Sequence, residues 1–97
     1  MKFTISSVAR ADLREIATHI ARDNPPRARS FVGELVAKIR EVADQPLIYP
    51  LRPVWGADYR SALHRSYHIV FRIRGETVEI MRVVHGARDI IALLDGE

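Results

Sequence analysis

The chain has 97 residues, 47% of them hydrophobic and 28% charged, with 15 Lys and Arg against 12 Asp and Glu for a net charge of +3. These values are typical of one soluble globular domain over residues 1–97, and they disfavour a membrane protein because no apolar run approaches the roughly 18 residues that a span needs. The start is too short and alternating for a signal peptide, so we expect a cytoplasmic location, and the lack of cysteine excludes disulfides and thiolate chemistry.

Two amphipathic helical patterns follow a short strand in the N-terminal half. Residues 2–6 alternate, which predicts a first strand, and Ser6 or Ser7 can cap the helix that follows. The Asp-Asn-Pro-Pro run at 23–26 separates this helix from a second one, because proline disfavours a helix before it and suits the first turn after it. So short a break predicts an antiparallel helical hairpin. The two apolar stripes are Ala9, Leu13, Ile16, Ala17 and Ile20, then Ala28, Phe31, Val32, Leu35, Val36, Ile39, Val42 and Ala43.

An irregular segment follows over residues 45–58, where Pro46 marks the end of the second helix. Prolines and a glycine interrupt any regular pattern in it. The segment is nevertheless rich in apolar residues, which predicts a loop that packs on the core rather than a flexible linker. These residues are Leu47, Ile48, Tyr49, Leu51, Val54 and Trp55.

Three strands are predicted in the rest of the chain, over 59–64, 67–73 and 77–84, with Gly75-Glu76 as a tight hairpin turn. This turn pairs Arg72 with Glu79, Val70 with Met81 and His68 with Val83. One face of the hairpin is then strongly apolar and is expected to meet the helices, while the other is mixed. The residues predicted on the mixed face are His68, Val70, Arg72, Glu79, Met81, Val83 and His85.

The order of these elements predicts an α+β fold. An N-terminal strand precedes an antiparallel helical hairpin, which packs on one face of a small, mainly antiparallel sheet. Asp89 can cap a short C-terminal helix over residues 90–94.

Arginine dominates the basic residues, since thirteen of the fifteen are arginines and only Lys2 and Lys38 are not. The stretch from Tyr59 to Gly75 contains four arginines, two histidines and no acid. Two interpretations stay open. The pattern is typical of a solvated sheet face, and it is also expected of a surface that binds an acidic partner, because the guanidinium fork suits carboxylates and phosphates.

Two stretches resemble a known family. The first runs from Ala9 to the Asp-Asn-Pro at 23–25, and the second from His64 through the alternating strands to the His-Gly-Ala-Arg-Asp ending at 85–89. Together they resemble the ParE-type toxins of the RelE/ParE superfamily, from about Phe3 to Leu94, and the ending is fairly specific to that group. The first stretch contains Ala9, Asp12, Leu13, Glu15 and Ile16, and the second contains Arg65, Tyr67, Ile69, Phe71, Arg72, Ile73, Val78, Glu79, Ile80, Arg82 and Val83.

The resemblance implies the toxin of a type II toxin–antitoxin module, neutralised by an antitoxin that wraps a disordered segment around it. ParE-like members poison DNA gyrase, whereas RelE-like members cleave mRNA in the ribosomal A site, and the common fold cannot choose between them. The implied partners are a cognate antitoxin in a hetero-oligomer and DNA gyrase as the target. No cofactor, no membrane contact and no direct DNA binding by the toxin alone are expected.

The ribonuclease alternative requires an acid, a base and positive charge beside a phosphate. In that branch the family implies an arginine on the third strand, a basic residue near the last strand, and often a C-terminal tyrosine. Here His68 stands on the third strand, His85 follows the last strand, and no tyrosine comes after Tyr67. A metal-independent endoribonuclease would therefore use His68, Arg72 and His85 on a shared face. The missing arginine and tyrosine favour the ParE branch, in which no residue performs chemistry.

For a ParE-like toxin, the candidate contacts with target or partner are Arg60, Arg65, Arg82 and Arg88. Strand alternation places Arg82 on the apolar face, so either that face opens to water at this end of the sheet, or Arg82 pairs with a buried acid such as Asp12 or Asp89. A third hypothesis is a basic binding domain without toxicity. It is disfavoured because the charge excess is small and no helix-turn-helix or phosphate-binding loop is present. The four histidines make no recognisable set of metal ligands.

Overall fold

A computed structural model of the chain describes residues 1–86. Within this range the helices and strands follow the predicted order and form an α+β fold. The C-terminal helix predicted after Asp89 lies outside the described residues. The elements are β1 (Lys2–Ile5), α1 (Ser7–Ala21), α2 (Pro25–Asp44), a short 3-10 helix (Pro46–Ile48), β2 (Tyr59–His64), β3 (Tyr67–Arg74) and β4 (Thr77–His85).

Side chains cap the start of both helices. The Ser6 hydroxyl accepts a hydrogen bond from the Ala9 N–H at 3.0 Å, as the sequence predicts. The Asn24 side-chain oxygen accepts one from the Arg27 N–H at 3.1 Å. These bonds satisfy donors that a first helical turn leaves without intrahelical partners. Pro25 follows at the first position of α2, where its missing N–H removes no helical bond.

The sheet has the strand order β1-β4-β3-β2. β1 lies parallel to β4, and the other neighbouring strands are antiparallel. The core lies between the sheet and the two helices, which confirms the predicted hairpin on one face of a mainly antiparallel sheet. The fully buried residues of this core are Ala9, Leu35, Ile39, Val42, Ile69, Phe71, Val78 and Ile80.

A two-residue turn joins β3 to β4, as predicted. Gly75 has a φ of +61°, a left-handed conformation that glycine adopts without steric cost from a Cβ atom. Arg72 faces Glu79 across the hairpin, also as predicted. The turn therefore sets the alternation of side chains over the first half of the hairpin.

An extra residue in β4 changes this alternation farther along. The register shifts in the middle of the hairpin, and Val70 faces Arg82 because Met81 forms a β-bulge. Beyond the bulge, Val83 belongs to the core beneath the helices, whereas Val84 belongs to the opposite face. Two predicted pairs are therefore wrong: Val70 with Met81 and His68 with Val83.

The segment 45–58 packs on the rest of the protein only in part. Pro46 is buried, and the ring of Tyr49 meets that of Phe71 edge-on with 6.0 Å between centroids. The prediction of a packed loop is wrong for four of its six apolar side chains, which are 47–70% exposed: Leu47, Ile48, Leu51 and Val54.

The beginning of α1 takes the place of a neighbouring strand along part of β4. β1 pairs with β4 only as far as Ile80. After that point the Ser6 N–H donates to the Ile80 carbonyl and the Ser6 hydroxyl to the Met81 carbonyl, both at 3.0 Å. The Asp12 carboxylate then accepts the Val83 N–H at 2.9 Å. Groups at the beginning of α1 thus make the hydrogen bonds to β4 that a longer β1 would have made.

Candidate functional site

The loop after α2 covers the centre of the outer sheet face, the face that is turned away from the helices. Trp55 packs there with Tyr59 and Met81 against Val70 and Val84, which are 0% and 2% exposed. This second apolar cluster occupies the middle of the face on which the ribonuclease interpretation places His68 and Arg72. Part of the face that was predicted to be mixed is therefore buried beneath the loop.

His68 lies at the edge of this cover. Its ring meets the Trp55 ring edge-on, with 5.8 Å between centroids and 82° between planes. Its Nδ1 atom is buried and finds no hydrogen-bond partner among residues 1–86. Burial first, and the nearby Arg52 charge second, lower the pKa of His68 below its ordinary 6.5. Burial therefore favours the neutral form of the imidazole, although the residue as a whole is only partly buried.

Arg72 also lies on the outer face, where Glu79 engages it. The Arg72 Nε donates to the Glu79 carboxylate at 2.7 Å, and Arg74 lies 3.3 Å from the same oxygen. The hydrogen bond between these two side chains raises the pKa of Arg72 and lowers the pKa of Glu79. A phosphate would have to compete with this carboxylate for the guanidinium.

His85 lies on the opposite side of the sheet, which corrects the expectation that it shares a face with His68 and Arg72. The bulge at Met81 is the cause, since it shifts His85 into register with Tyr67. The two rings meet edge-on with 5.0 Å between centroids. His85 also lines a hollow of about 130 Å³ beside α1. The structure therefore separates the two histidines that were proposed as an acid–base pair.

Three of the four arginines proposed as contacts fall within the described part of the chain, and Arg88 lies outside it. Arg60 donates to the Tyr49 carbonyl at 2.7 Å, so it fastens the loop to β2. Arg82 pairs with Asp12, one of the two acids that the sequence offered for it, at 2.8 Å. Both side chains are engaged in the fold.

Arg65 has a different environment in the turn between β2 and β3. Its side chain is 65% exposed, and its Nε lies 3.8 Å from a Glu34 oxygen. Its φ of +57° is left-handed, a conformation that residues with a Cβ atom rarely adopt. Among the described candidates, Arg65 is the one whose guanidinium is open to a partner.

Sequence reasoning missed Glu34, which connects α2 to this turn. The carboxylate forms an ion pair with Arg27 and lies 2.9 Å from His64 Nε2. The hydrogen bond from Arg27 first, and that from His64 second, lower the pKa of Glu34 from 4.5 to about 2. The seven-residue spacing of Arg27 and Glu34 places them on one helical face and could have been noticed. The contact with His64, from another element, had no sequence signal.

Two further searches of residues 1–86 concern other classes of function. No group of three or more His, Cys, Asp or Glu side chains in this range is placed to hold a metal ion. No described helix is long and apolar enough to cross a membrane.

Known proteins resemble this chain in sequence and in fold. The family described as "ParE toxin of type II toxin-antitoxin system, parDE" matches residues 3–90. A solved structure titled "Chromosomal ParDE TA system from P. aeruginosa" superposes with a TM-score of 0.79 at 24% sequence identity, over 89% of this chain and 96% of that chain. At this identity the likeness shows a common fold. No curated protein matches the sequence significantly.

Proposed function

The chain belongs to the ParE toxin family of type II toxin–antitoxin systems, and we propose that it inhibits DNA gyrase by binding it, without catalysing a reaction. A cognate antitoxin neutralises it in a hetero-oligomeric complex in the cytoplasm. The gyrase target follows from what ParE-like toxins do.

The closed outer sheet face carries this proposal. A metal-free ribonuclease must bring an acid and a base within hydrogen-bond reach of one phosphate. Here Trp55 covers the face that bears His68, while His85 lies beside α1 on the other side of the sheet. Arg72 is bound to Glu79. This arrangement supports a binding function, because no described set of these residues can surround one reacting group.

Charge supports an acidic protein partner. The net charge is +3, and the exposed arginines include Arg65 at the β2–β3 turn. A basic surface accelerates the capture of an acidic segment and fixes its orientation. A disordered antitoxin segment that orders on binding fits such a surface.

Two reactions test the function directly. The purified toxin, released from its antitoxin, is added to gyrase acting on relaxed plasmid and to ribosomes translating a defined mRNA. We expect supercoiling to be lost or cleaved DNA to be trapped, while the mRNA stays intact. Prior addition of the antitoxin is expected to restore supercoiling.

The variants His68→Ala and His85→Ala separate the alternatives. Both are expected to inhibit gyrase as the wild type does, provided that they remain folded. Codon-phased cuts in the mRNA that either substitution abolishes would establish the ribonuclease instead. No effect in either reaction, with antitoxin binding intact, would leave a binding domain without toxicity.

A further inference from the structure

The loop after α2 and the strand that follows it carry most of the large apolar side chains that the protein exposes. Six such side chains are exposed in residues 1–86, and all but Met1 lie between positions 47 and 63. Single exposed apolar residues are ordinary, but their concentration in one region is typical of an interaction surface. The five residues of this region are Leu47, Ile48, Leu51, Val54 and Leu63.

Leu63 extends the outer sheet face toward the edge of the sheet. It lies in the edge strand β2, directly opposite His68 of β3. Ser61 lies two residues earlier in the strand and therefore on the same face. The Leu63 side chain is 58% exposed, and the His68 ring beside it contacts Trp55. A continuous surface thus runs from Trp55 across His68 to Leu63.

Arg52 lies on top of this surface. Its guanidinium is over the indole ring of Trp55, with 5.6 Å from Cζ to the ring centroid, and its Nε donates to the Ser61 hydroxyl at 3.1 Å. The residue is exposed, and no acidic side chain among residues 1–86 forms an ion pair with it. The charge is therefore held in one position, with N–H groups left for a carboxylate of a partner.

Backbone contacts fix the loop before any partner binds. The Arg52 N–H donates to the Tyr59 carbonyl at 2.8 Å, and the Ser61 N–H to the Pro50 carbonyl at 3.4 Å. Gly56 lies so close to Tyr59 that a Cβ atom there would overlap the ring. A surface that is already ordered loses little conformational entropy when it binds.

The charge of this region indicates the chemistry of its partner. Residues 45–75 contain five arginines and one acid, Asp58, so their net charge of +4 exceeds the +3 of the whole chain. Like charge disfavours a second copy of the chain on this surface, whereas acidic groups complement it. Nucleic acid fits less well than protein, because Arg52 already covers an indole face on which a base would stack and the neighbouring exposed side chains are aliphatic.

We propose that Arg52, Trp55 and Leu63, which we call the loop surface, are the contact site for the protein that the toxin inhibits. The loop surface enters an apolar pocket with an acidic rim on that protein. Tryptophan and arginine are the residues that most often dominate protein interfaces. The inference rests on the proposed function in requiring inhibition by binding, but it does not require gyrase to be the target.

The geometry favours a folded target over a disordered antitoxin segment as the occupant. A segment that orders on binding uses a groove or a free strand edge. Here the backbone of β2 is partly covered by the loop, through Arg52 and Pro50. The side chain of Leu63 is more than half exposed on this fixed support, so it projects outward and suits a preformed pocket.

Charge reversal at exposed positions tests the loop surface without disturbing the core. The variants are Arg52→Glu and Leu63→Glu. Their matched controls are Arg40→Glu, at an exposed arginine of α2, and Leu47→Glu, at a leucine of the 3-10 helix that is 70% exposed. Growth of bacteria is measured against the amount of toxin induced. We expect about tenfold or more toxin to be needed with either loop-surface variant, since each places a carboxylate against an acidic partner. The controls are expected to stay within about twofold of wild type.

Antitoxin affinity shows that the variants are folded. Both loop-surface variants are expected to bind the antitoxin encoded beside the toxin within about twofold of wild type. A chemical footprint then locates the target contact, because the chain contains no cysteine and a single introduced thiol is unique. Leu63→Cys is expected to react with a maleimide in the free toxin and to be protected by gyrase, whereas Leu47→Cys reacts equally in both states.

The outcomes separate this proposal from the proposed function. Wild-type growth inhibition by both loop-surface variants would overturn the loop surface, whatever the target is. Weakened antitoxin binding with intact growth inhibition would assign it to the antitoxin, and binding of a plain DNA duplex that Arg52→Glu abolishes would assign it to nucleic acid. Expected growth results with gyrase unimpaired by the wild type, and Leu63→Cys unprotected, refute only the gyrase target. A wild-type toxin that does not inhibit growth refutes both proposals.

Discussion

The carboxylate of Asp12 accepts two hydrogen bonds from the guanidinium of Arg82, 2.8 Å from Nε and 2.9 Å from Nη2. The two side chains are 8% and 11% exposed, and the residues lie 70 positions apart in the chain. The same carboxylate also accepts the Val83 N–H. One acid of α1 therefore neutralises a nearly buried charge and completes the hydrogen bonding of β4 where β1 has ended.

Removing this acid is expected to cost more stability than any exposed substitution on the same helix. Asp12→Ala leaves the Val83 N–H without its acceptor and deprives the Arg82 charge of its carboxylate. We expect the free energy of unfolding to fall by about 3 kcal/mol, as when one partner of a buried ion pair is removed. Urea unfolding followed by circular dichroism measures this change. Glu15→Ala, at an exposed position of α1, is the control and is expected to change stability by less than about 0.5 kcal/mol.

Local patterns predicted most of the fold. The periodicity of α1 and α2, the prolines between them, and the turn at Gly75 are short-range signals, and the structure follows them closely. The position of Arg82 on an apolar face also predicted a buried acid as one of two environments for it, and Asp12 provides that acid. Most of these predictions succeeded because they depended on residues that are close together in the sequence. The one for Arg82 succeeded because a charged residue interrupts an apolar alternation.

The candidate site was predicted less well, because it depends on a single inserted residue. No glycine or proline beside Met81 indicates a bulge in the sequence, yet the bulge moves His85 to the helix side of the sheet. The cover of the outer face by Trp55 depends on the path of an irregular loop. The parallel pairing of β1 with β4 joins the two ends of the described chain, which periodicity does not report.

Glu34 should make stability depend on acid pH. Its bonds with Arg27 and His64 hold its pKa at about 2 against an ordinary 4.5. Because the folded-state pKa is the lower one, the carboxylate stabilises the fold above about pH 4.5, and this contribution is lost as pH falls toward about 2. Glu34→Gln is expected to be less stable than wild type near neutral pH, and the two unfolding free energies should converge as the pH approaches 2. Urea unfolding at a series of pH values tests this.

Glu76→Gln provides the control for this series, because Glu76 is an exposed residue of the β3–β4 turn. It is expected to reproduce the wild-type pH dependence. A constant gap between Glu34→Gln and wild type across the whole range would show that ionisation of Glu34 is not the source of the stabilisation.

Trp55 should control the titration of His68. Burial is the larger cause of the lowered pKa of His68, and the Arg52 charge is the smaller one. Trp55→Ala opens the cover, so we expect the pKa of His68 to rise toward 6.5, and Arg52→Gln to raise it by a smaller amount. NMR titration of the histidine ring protons measures both. Val54→Ala removes a neighbouring side chain that is 67% exposed and should leave the titration unchanged.

Trp55→Ala should also lower the stability of the protein. Trp55 is only partly buried, so we expect a loss of about 2 kcal/mol, below the roughly 3–5 kcal/mol typical of a fully buried tryptophan. An unchanged pKa of His68 in a variant with this loss of stability would mean that other residues keep the imidazole dry.

Arg65 is the candidate contact whose role in inhibition can be separated from its role in the fold. Arg65→Gly removes the exposed guanidinium and at the same time places glycine at a φ of +57°. We expect stability to be unchanged or to rise by up to about 1 kcal/mol, because glycine adopts this conformation without strain. Inhibition of gyrase should fall by about tenfold if Arg65 is an energetically important contact, since a few arginines often dominate an interface. Supercoiling assays and urea unfolding measure the two effects independently.

Arg74→Ala is the matched control for this experiment. Arg74 lies in β3 beside the opposite turn, its side chain is also 65% exposed, and it also lies near a glutamate. It is expected to retain full inhibition, so a loss confined to Arg65→Gly would place the contact at the β2–β3 turn. Equal losses in both variants would instead mean that inhibition depends on overall positive charge, and a steep salt dependence of inhibition would accompany that result.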